Sequence, residues 1–254
     1  MTEPSWAELW RALTERTWRP EAAKRKGQEP SATLPNFVKD KLRPGDTLLD
    51  IGAGGGNFAI PFARVARTVT AVEPSADAAA LLRERAAAHE LSNINLVEAR
   101  WEDAEVEAHD VAFCSHAMYS SPDLVAFVRK MESRARRLCF LVMRMPSHDG
   151  VMRELSSAIH GEPHDSPNFW VGYHVLYDMG IYAGVVMEPA VRSWSDASLD
   201  DAVQRARRHL GVEDRTDQDV LIRETLARRL TVRDGKYCWP DGMRSAMAWW
   251  QPSR

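Results

Sequence analysis

The sequence predicts an α/β fold built on a doubly wound, mostly parallel sheet. Three observations carry that prediction. Short apolar runs that read as buried strands alternate with helical patterns from Thr47 to Val142, the signature of consecutive βαβ units. The first strand stops in Asp50-Ile51-Gly52-Ala53-Gly54-Gly55-Gly56, and a helical pattern follows from Asn57 to Ala66. Glycine permits tight turns at positive φ and lets a ligand approach the backbone, so a strand that re-emerges from glycines as a helix suits an anionic or ribose-bearing ligand. Glu73 then ends the second strand, about 20 residues past the glycines, where a carboxylate can accept hydrogen bonds from a ribose.

Size and composition bound the rest. The 254 residues suit one α/β domain with an attached subdomain and can bury a substantial core. Net charge is −3 and no long basic run occurs, so no electrostatic footprint for nucleic acid is expected. Cys114, Cys139 and Cys238 lie far apart without metal-type spacing. The first two sit in apolar runs and read as buried reduced thiols. Met1 to Trp10 does not read as a signal peptide, and no apolar run approaches the roughly 20 residues of a membrane span. The expected compartment is the cytoplasm, with no membrane partner; monomer and homodimer both remain open.

Taken in order, Ser5-Trp6-Ala7-Glu8 predicts a capping box, opening a helix whose Trp6, Trp10, Leu13 and Thr17 share one face. That face either packs on the main domain or covers the ligand mouth as a lid. Arg19 to Pro30 reads as a polar linker carrying Lys24, Arg25 and Lys26, and Thr33 to Leu42 as a second helix ended by Pro44-Gly45. After the glycines, Pro61 is tolerable only in the first turn of its helix. Ser75 is expected to cap a helix running to about His89, with Asp77 near its start. Asn95–Glu98 and Val111–Cys114 are the third and fourth strands. Ser121-Pro122 predicts a helix with Ser121 at the N-cap and proline at the first position; Leu138–Val142 is the fifth strand.

The later part changes character. Pro146 to Pro167 reads as a long loop or broken helix, Asn168 to Tyr182 as an aromatic helix and Val185–Met187 as the sixth strand. Ser198-x-x-Asp201 and Thr216-x-x-Asp219 resemble capping boxes opening two helices, the first closed by Gly211. Arg233-Asp234-Gly235-Lys236 suits a hairpin turn, and Ser245–Trp250 is the last strand. The expected organisation is an N-terminal helical lid and linker over 1–44, a ligand-binding core over 45–146, and a remainder over 147–254 with a helical insertion at 197–230.

Two ligands are compatible with the loop. A dinucleotide usually meets G-x-G-x-x-G, whereas Gly52, Gly54 and Gly56 are spaced by two, with Asp50 just before them. The stretch resembles motif I of the class I S-adenosylmethionine (SAM) dependent methyltransferases. The resemblance covers residues 45 to 145 well and the remainder in outline. It implies a seven-stranded sheet ending in an antiparallel hairpin, SAM as cofactor, and methyl transfer to a small-molecule acceptor. The alternatives are a SAM- or S-adenosylhomocysteine-binding protein without transfer, and an NAD(P)-dependent oxidoreductase.

The resemblance also implies roles. Asp50 would orient the loop near the cofactor ammonium, Gly52, Ala53 and Gly54 would offer backbone groups to the methionine part, and Glu73 would take the ribose hydroxyls. Asn57, Phe58, Pro74 and Ser115 complete the expected cofactor contacts. The family's Gly-Asp after the third strand is replaced by Ala99-Arg100. Trp101 is therefore expected to stack on adenine, with Glu102 or Asp103 taking its amino hydrogen. The Asn/Asp-Pro-Pro-aromatic motif of base-amino methyltransferases is absent after the fourth strand, where Ser115-His116-Ala117-Met118-Tyr119 stands. His116 is a candidate general base and Tyr119 a candidate catalytic neighbour. Apart from the resemblance, Trp170, Tyr173, His174 and Tyr177 recur at helical spacing and either wall an acceptor pocket or fill the core between helix and sheet; with Trp6, Trp10 and Tyr119 they could make an aromatic enclosure for an apolar or cationic acceptor. His148, Asp149, His160, His164 and Asp165 match no metal-ligand spacing, and no metal is expected.

Overall fold

The computed structural model describes residues 5–17, 32–189, 193–240 and 242–253. The expected linker from Arg19 to Pro30 lies outside them. Helices α1 (Trp6–Thr17) and α2 (Thr33–Lys41) lead into β1 (Thr47–Ile51), α3 (Ala59–Ala63), β2 (Thr68–Val72), α4 (Ala76–Ala88), β3 (Ile94–Val97) and β4 (His109–Ser115). Then come α5 (Leu124–Ser133), β5 (Ala135–Met145), α6 (Val151–His160), α7 (Phe169–Asp178) and β6 (Gly184–Met187). The chain continues through β7 (Ser195–Asp196), α8 (Leu199–Leu210), α9 (Asp219–Arg229), β8 (Thr231–Arg233), β9 (Lys236–Cys238) and β10 (Arg244–Trp250).

The main sheet has seven strands in the order β3-β2-β1-β4-β5-β10-β6. The first five are parallel, and β10 inserts antiparallel between β5 and β6. Strand order reverses between β1 and β4, which opens a crevice at their carboxyl ends. One face of the sheet (Leu49, Ile51, Cys114, Leu141, Met143) packs on α1, α5 and α7. The other (Leu48, Val111, Phe113, Phe140) packs on α2 and α3. A third core joins α6, α8 and α9 through Leu155, Ala206, Leu210, Ile222 and Leu226, with Trp239 beside the small β7-β9-β8 sheet.

Local signals explain most ends. Ser5 and Glu8 form the expected reciprocal cap, the Ser5 N–H donating to the Glu8 carboxylate at 2.7 Å. The Ser75 and Ser198 hydroxyls accept from Ala78 and Asp201 N–H groups, and Asp234-Gly235 turns the β8–β9 hairpin at positive φ. Four expectations are corrected. Helix α3 starts at Ala59, not Asn57, because residues 53–58 are spent on turns. Asp123, not Ser121, caps α5, its carboxylate accepting from the Ala126 N–H at 2.9 Å. Thr216 makes no capping bond; a 3-10 turn precedes α9. The stretch from Pro146 to Pro167, read as a long loop or broken helix, contains the ten-residue helix α6, whose apolar Val151, Met152 and Leu155 share one cluster with the distant α8, α9 and Trp239.

Helix α1 is part of the core. Trp10 and Leu13 are fully buried, and the Trp10 indole N–H donates to the Ser121 carbonyl at 3.0 Å. The ring stacks on Tyr119 at 5.9 Å, so α1 is fastened beside the end of β4. Truncating Trp10→Ala is expected to cost about 3–5 kcal/mol in urea unfolding. A loss under about 1 kcal/mol would mean that α1 is a detachable cover instead.

Candidate active site

The glycine loop is held by backbone bonds to the next strand. Gly52 and Ala53 N–H groups both donate to the Val72 carbonyl, at 2.8 and 3.0 Å. Gly52 has φ +74°, and a Cβ there would run into Ala117, so the loop and the turn after β4 touch only because this residue is glycine. Gly54 has φ +55° and faces open space. Its N–H donates to Glu73 Oε2 at 2.8 Å, and the Ser75 N–H donates to Glu73 Oε1 at 2.9 Å. Each carboxylate oxygen thus keeps accepting capacity for a further donor.

Arg85 is a clamp that the sequence reading missed. Its Nη1 donates to the Gly55 carbonyl at 2.7 Å and to Asn57 Oδ1 at 2.8 Å. Asn57 therefore secures the loop through its side chain. Leu81 and Arg85, four residues apart on α4, both meet Gly55; that helical spacing was the available signal.

Asp50 is 2 % exposed, and its Oδ2 has no hydrogen-bond partner among the described residues. Burial, reinforced by the negative charge of Glu73, pushes its carboxyl up to about 7, against the pull of the Ala59 N–H. A buried carboxylate oxygen without a donor suits an incoming cationic group such as an ammonium.

The turn after β4 brings three expected residues to the same crevice. Ser115 pairs with Val142 across the β4–β5 ladder. His116 is exposed and sits at φ +60°, its N–H donating to the Val142 carbonyl at 3.1 Å. A non-glycine residue in that region stores backbone strain. Its Nε2 lies 3.4 Å from the Ser245 hydroxyl of β10. Tyr119 Oη accepts from the Arg144 N–H at 2.5 Å. Burial pushes the Tyr119 hydroxyl up to about 12 despite that bond, so it stays protonated at neutral pH.

Other expected residues lie elsewhere. The Trp101 ring is 5 % exposed, donates to the Phe127 carbonyl at 3.3 Å and is covered by Lys130 at 4.9 Å. The ring is thus buried with its polar edge bonded and Lys130 over one face, which leaves little surface for the adenine stacking expected of it. Glu102 is exposed beside Arg100, and Pro74 is exposed at the mouth. Phe58 packs on Phe62 and Phe113 within the core. The expected aromatic set meets in pairs: Trp6 stacks on His174 at 4.1 Å and Trp10 on Tyr119 at 5.9 Å, while Tyr173 donates to the Ala183 carbonyl at 2.7 Å and Trp170 and Tyr177 are about half exposed on the surface. Of the histidine–aspartate group, His160 Nε2 contacts the Leu210 carbonyl, and Asp165 pairs with Arg144 and His209.

Comparison with known proteins places this architecture. Residues 48–137 match the family described as a methyltransferase domain. No curated protein matches the chain. Among solved structures, the YcgJ protein from Bacillus subtilis aligns with TM-score 0.59 at 14 % identity over 88 % of this chain and 99 % of its own. A putative methyltransferase from Bacillus halodurans aligns at 0.57 and 14 %, with 88 % and 99 % covered. A SAM-dependent methyltransferase from Thiobacillus denitrificans, solved with S-adenosyl-L-homocysteine, aligns at 0.52 and 17 %, with 90 % and 96 % covered. The family match is confined to residues 48–137, and the likeness to these structures is one of fold, a seven-stranded mostly parallel sheet with one antiparallel strand.

The buried Asp50 has a consequence for stability. Its folded-state value lies near 7 against an ordinary 3.8, so the stability it contributes is full below about pH 4 and lost as pH rises through 7. Asp50→Asn is therefore expected to gain on the wild type by about 2–3 kcal/mol more at pH 8 than at pH 5, in urea unfolding without ligand. An equal difference at both pH values would remove the protonated Asp50.

Proposed function

We propose that this chain binds SAM across its glycine loop and transfers the methyl group to a small-molecule acceptor by in-line displacement. The observation that carries the reading is the pair of carboxylates around the loop. Glu73 retains lone pairs beside Gly54, suited to a vicinal diol, and Asp50 presents an unpartnered oxygen where an ammonium gains an ion pair. Gly52 and Gly54 bare the backbone on either side of Ala53, whose methyl group is buried in the core. When bound, SAM supplies a methyl group already activated on a sulfonium. This chain's own residues are left to align a nucleophile, exclude water and, where the accepting atom carries a proton, remove it. His116, steadied by Ser245, is the candidate proton acceptor. The protonated Tyr119 hydroxyl, fixed at the Arg144 N–H, is a positioning donor. The expected compartment is the cytoplasm, consistent with the buried free thiols of Cys114 and Cys139 and with the lack, among the described residues, of any helix long and apolar enough to cross a membrane.

The oxidoreductase alternative is weaker because α3 begins three residues beyond Gly56 and is five residues long. A dinucleotide pyrophosphate needs a helix amino end set directly on the glycines. A binder without transfer is separated by turnover.

Glu73→Ala is expected to weaken SAM by about 1.5–3 kcal/mol, roughly 10- to 150-fold, in isothermal titration. Unchanged affinity would remove the ribose role. His116→Ala and Tyr119→Phe are expected to slow methyl transfer while leaving SAM affinity near the wild-type value; if neither changes the rate, both are bystanders.

A further inference from the structure

A cavity opens beyond the carboxyl end of β5, between the first turn of α6 and the small sheet. Val151, Met152, Trp194, Trp239 and Met243 give it an apolar lining. Trp194 and Trp239 meet edge to face at 5.4 Å, and Trp239 is locked by its N–H donating to Asp196 at 2.7 Å. Arg205 lies over one face of Trp194 at 5.3 Å and Trp239 is mostly buried, so the two rings offer the cavity an apolar wall of limited area.

Arg144 enters the same cavity. Its Nη2 donates to Ser166 Oγ at 2.5 Å and to Asp165 Oδ1 at 3.3 Å. Its Nη1 and Nε hydrogens have no hydrogen-bond partner among the described residues. Two carboxylates are nearby. Asp165 is buried between Arg144 and His209, and Asp149 at the rim pairs with Arg229 at 3.1 Å. Asp149 is taken up by Arg229, whereas Asp165 is Arg144's own ion-pair partner through Nη2, so what Arg144 keeps for a ligand is its Nη1 and Nε hydrogens.

Sheet register connects this cavity to the proposed cofactor site. Asp50 pairs with Phe113, Phe113 with Phe140, and Phe140 with Trp249. Paired residues point to the same face and alternation repeats every second residue. Asp50, Ser115, Arg144 and Ser245 therefore all project from one face at the carboxyl edge. Arg144 lies two strands across and four residues beyond the level of Asp50, about 10 Å sideways and about 13 Å along the strand. That offset leaves room for the cofactor's reactive end plus a small ring system.

We infer that this cavity receives the methyl acceptor, and that the acceptor is a flat apolar molecule bearing a carboxylate held by the uncommitted N–H groups of Arg144. The inference rests on the transferase reading of the glycine loop. Charge-assisted bonds from a guanidinium discriminate a carboxylate from its neutral amide, while the tryptophan corner is indifferent to that change.

The test uses naphthalene-2-carboxylate and naphthalene-2-carboxamide, titrated into the full chain saturated with S-adenosylhomocysteine. The carboxylate is expected to bind about tenfold tighter or more. Arg144→Gln should abolish the preference while leaving affinities for the amide and for S-adenosylhomocysteine unchanged. If that variant does not fold, the double variant Arg144→Gln, Asp165→Asn removes both charges together and is expected to lose the same preference. Equal affinities in the wild type, saturable binding of neither probe, or a preference that survives removal of Arg144 would overturn the inference. Failure of S-adenosylhomocysteine itself to bind would instead remove the transferase reading beneath it.

Discussion

The hydrogen bond from the Gly54 N–H to the Glu73 carboxylate joins the end of β1 to the end of β2, and the site is built outward from it. Strand register sets the two ends level, because Ile51 pairs with Val72. The loop cannot relax away from that level, since Gly52 and Ala53 also donate to the Val72 carbonyl. Arg85 then ties the far side of the loop to α4. A glycine-rich segment whose one Cβ, that of Ala53, is buried is thus held rigid while Gly54 faces open space, and preorganisation of this kind lowers the cost of ordering a ligand.

Rigidity here coexists with two unfavourable features. Asp50 is buried without a donor for Oδ2, and His116 occupies a left-handed backbone conformation. Both lie at the carboxyl ends of neighbouring strands, and neither is explained by packing. The surrounding core supplies the stability to tolerate them: Trp10, Leu13 and Met118 are fully buried below the turn that carries His116. Backbone strain and a buried polar atom without a donor, held inside a well-packed frame, are features that cluster at functional sites.

Much of the frame was legible in the sequence because its signals are local. Ser5-x-x-Glu8, Ser75, Gly211 and Asp234-Gly235 each specify one cap or turn through one or two residues. The glycine loop and Glu73 were legible because covalent spacing and strand length alone bring them together. What failed depended on partners distant in the chain. Helix α6 was hidden because its apolar residues meet α8 and α9, about 50 residues later or more. Ser121 and Asp123 compete for one cap, and Asp123 wins by placing its carboxylate on the Ala126 N–H. Trp101 reads the same whether it covers a ligand or a core; only the carbonyl of Phe127, on α5, decides. The bonds of Arg144 to Asp165 and Ser166 were not legible either, since they join a strand to a separate loop about 20 residues later.

The most direct test of the account is a crystal structure of the chain with S-adenosylhomocysteine. It should place the ribose hydroxyls within about 3 Å of the Glu73 carboxylate and the ammonium group against Asp50. A ligand seated elsewhere, or a ribose turned away from Glu73, would contradict it.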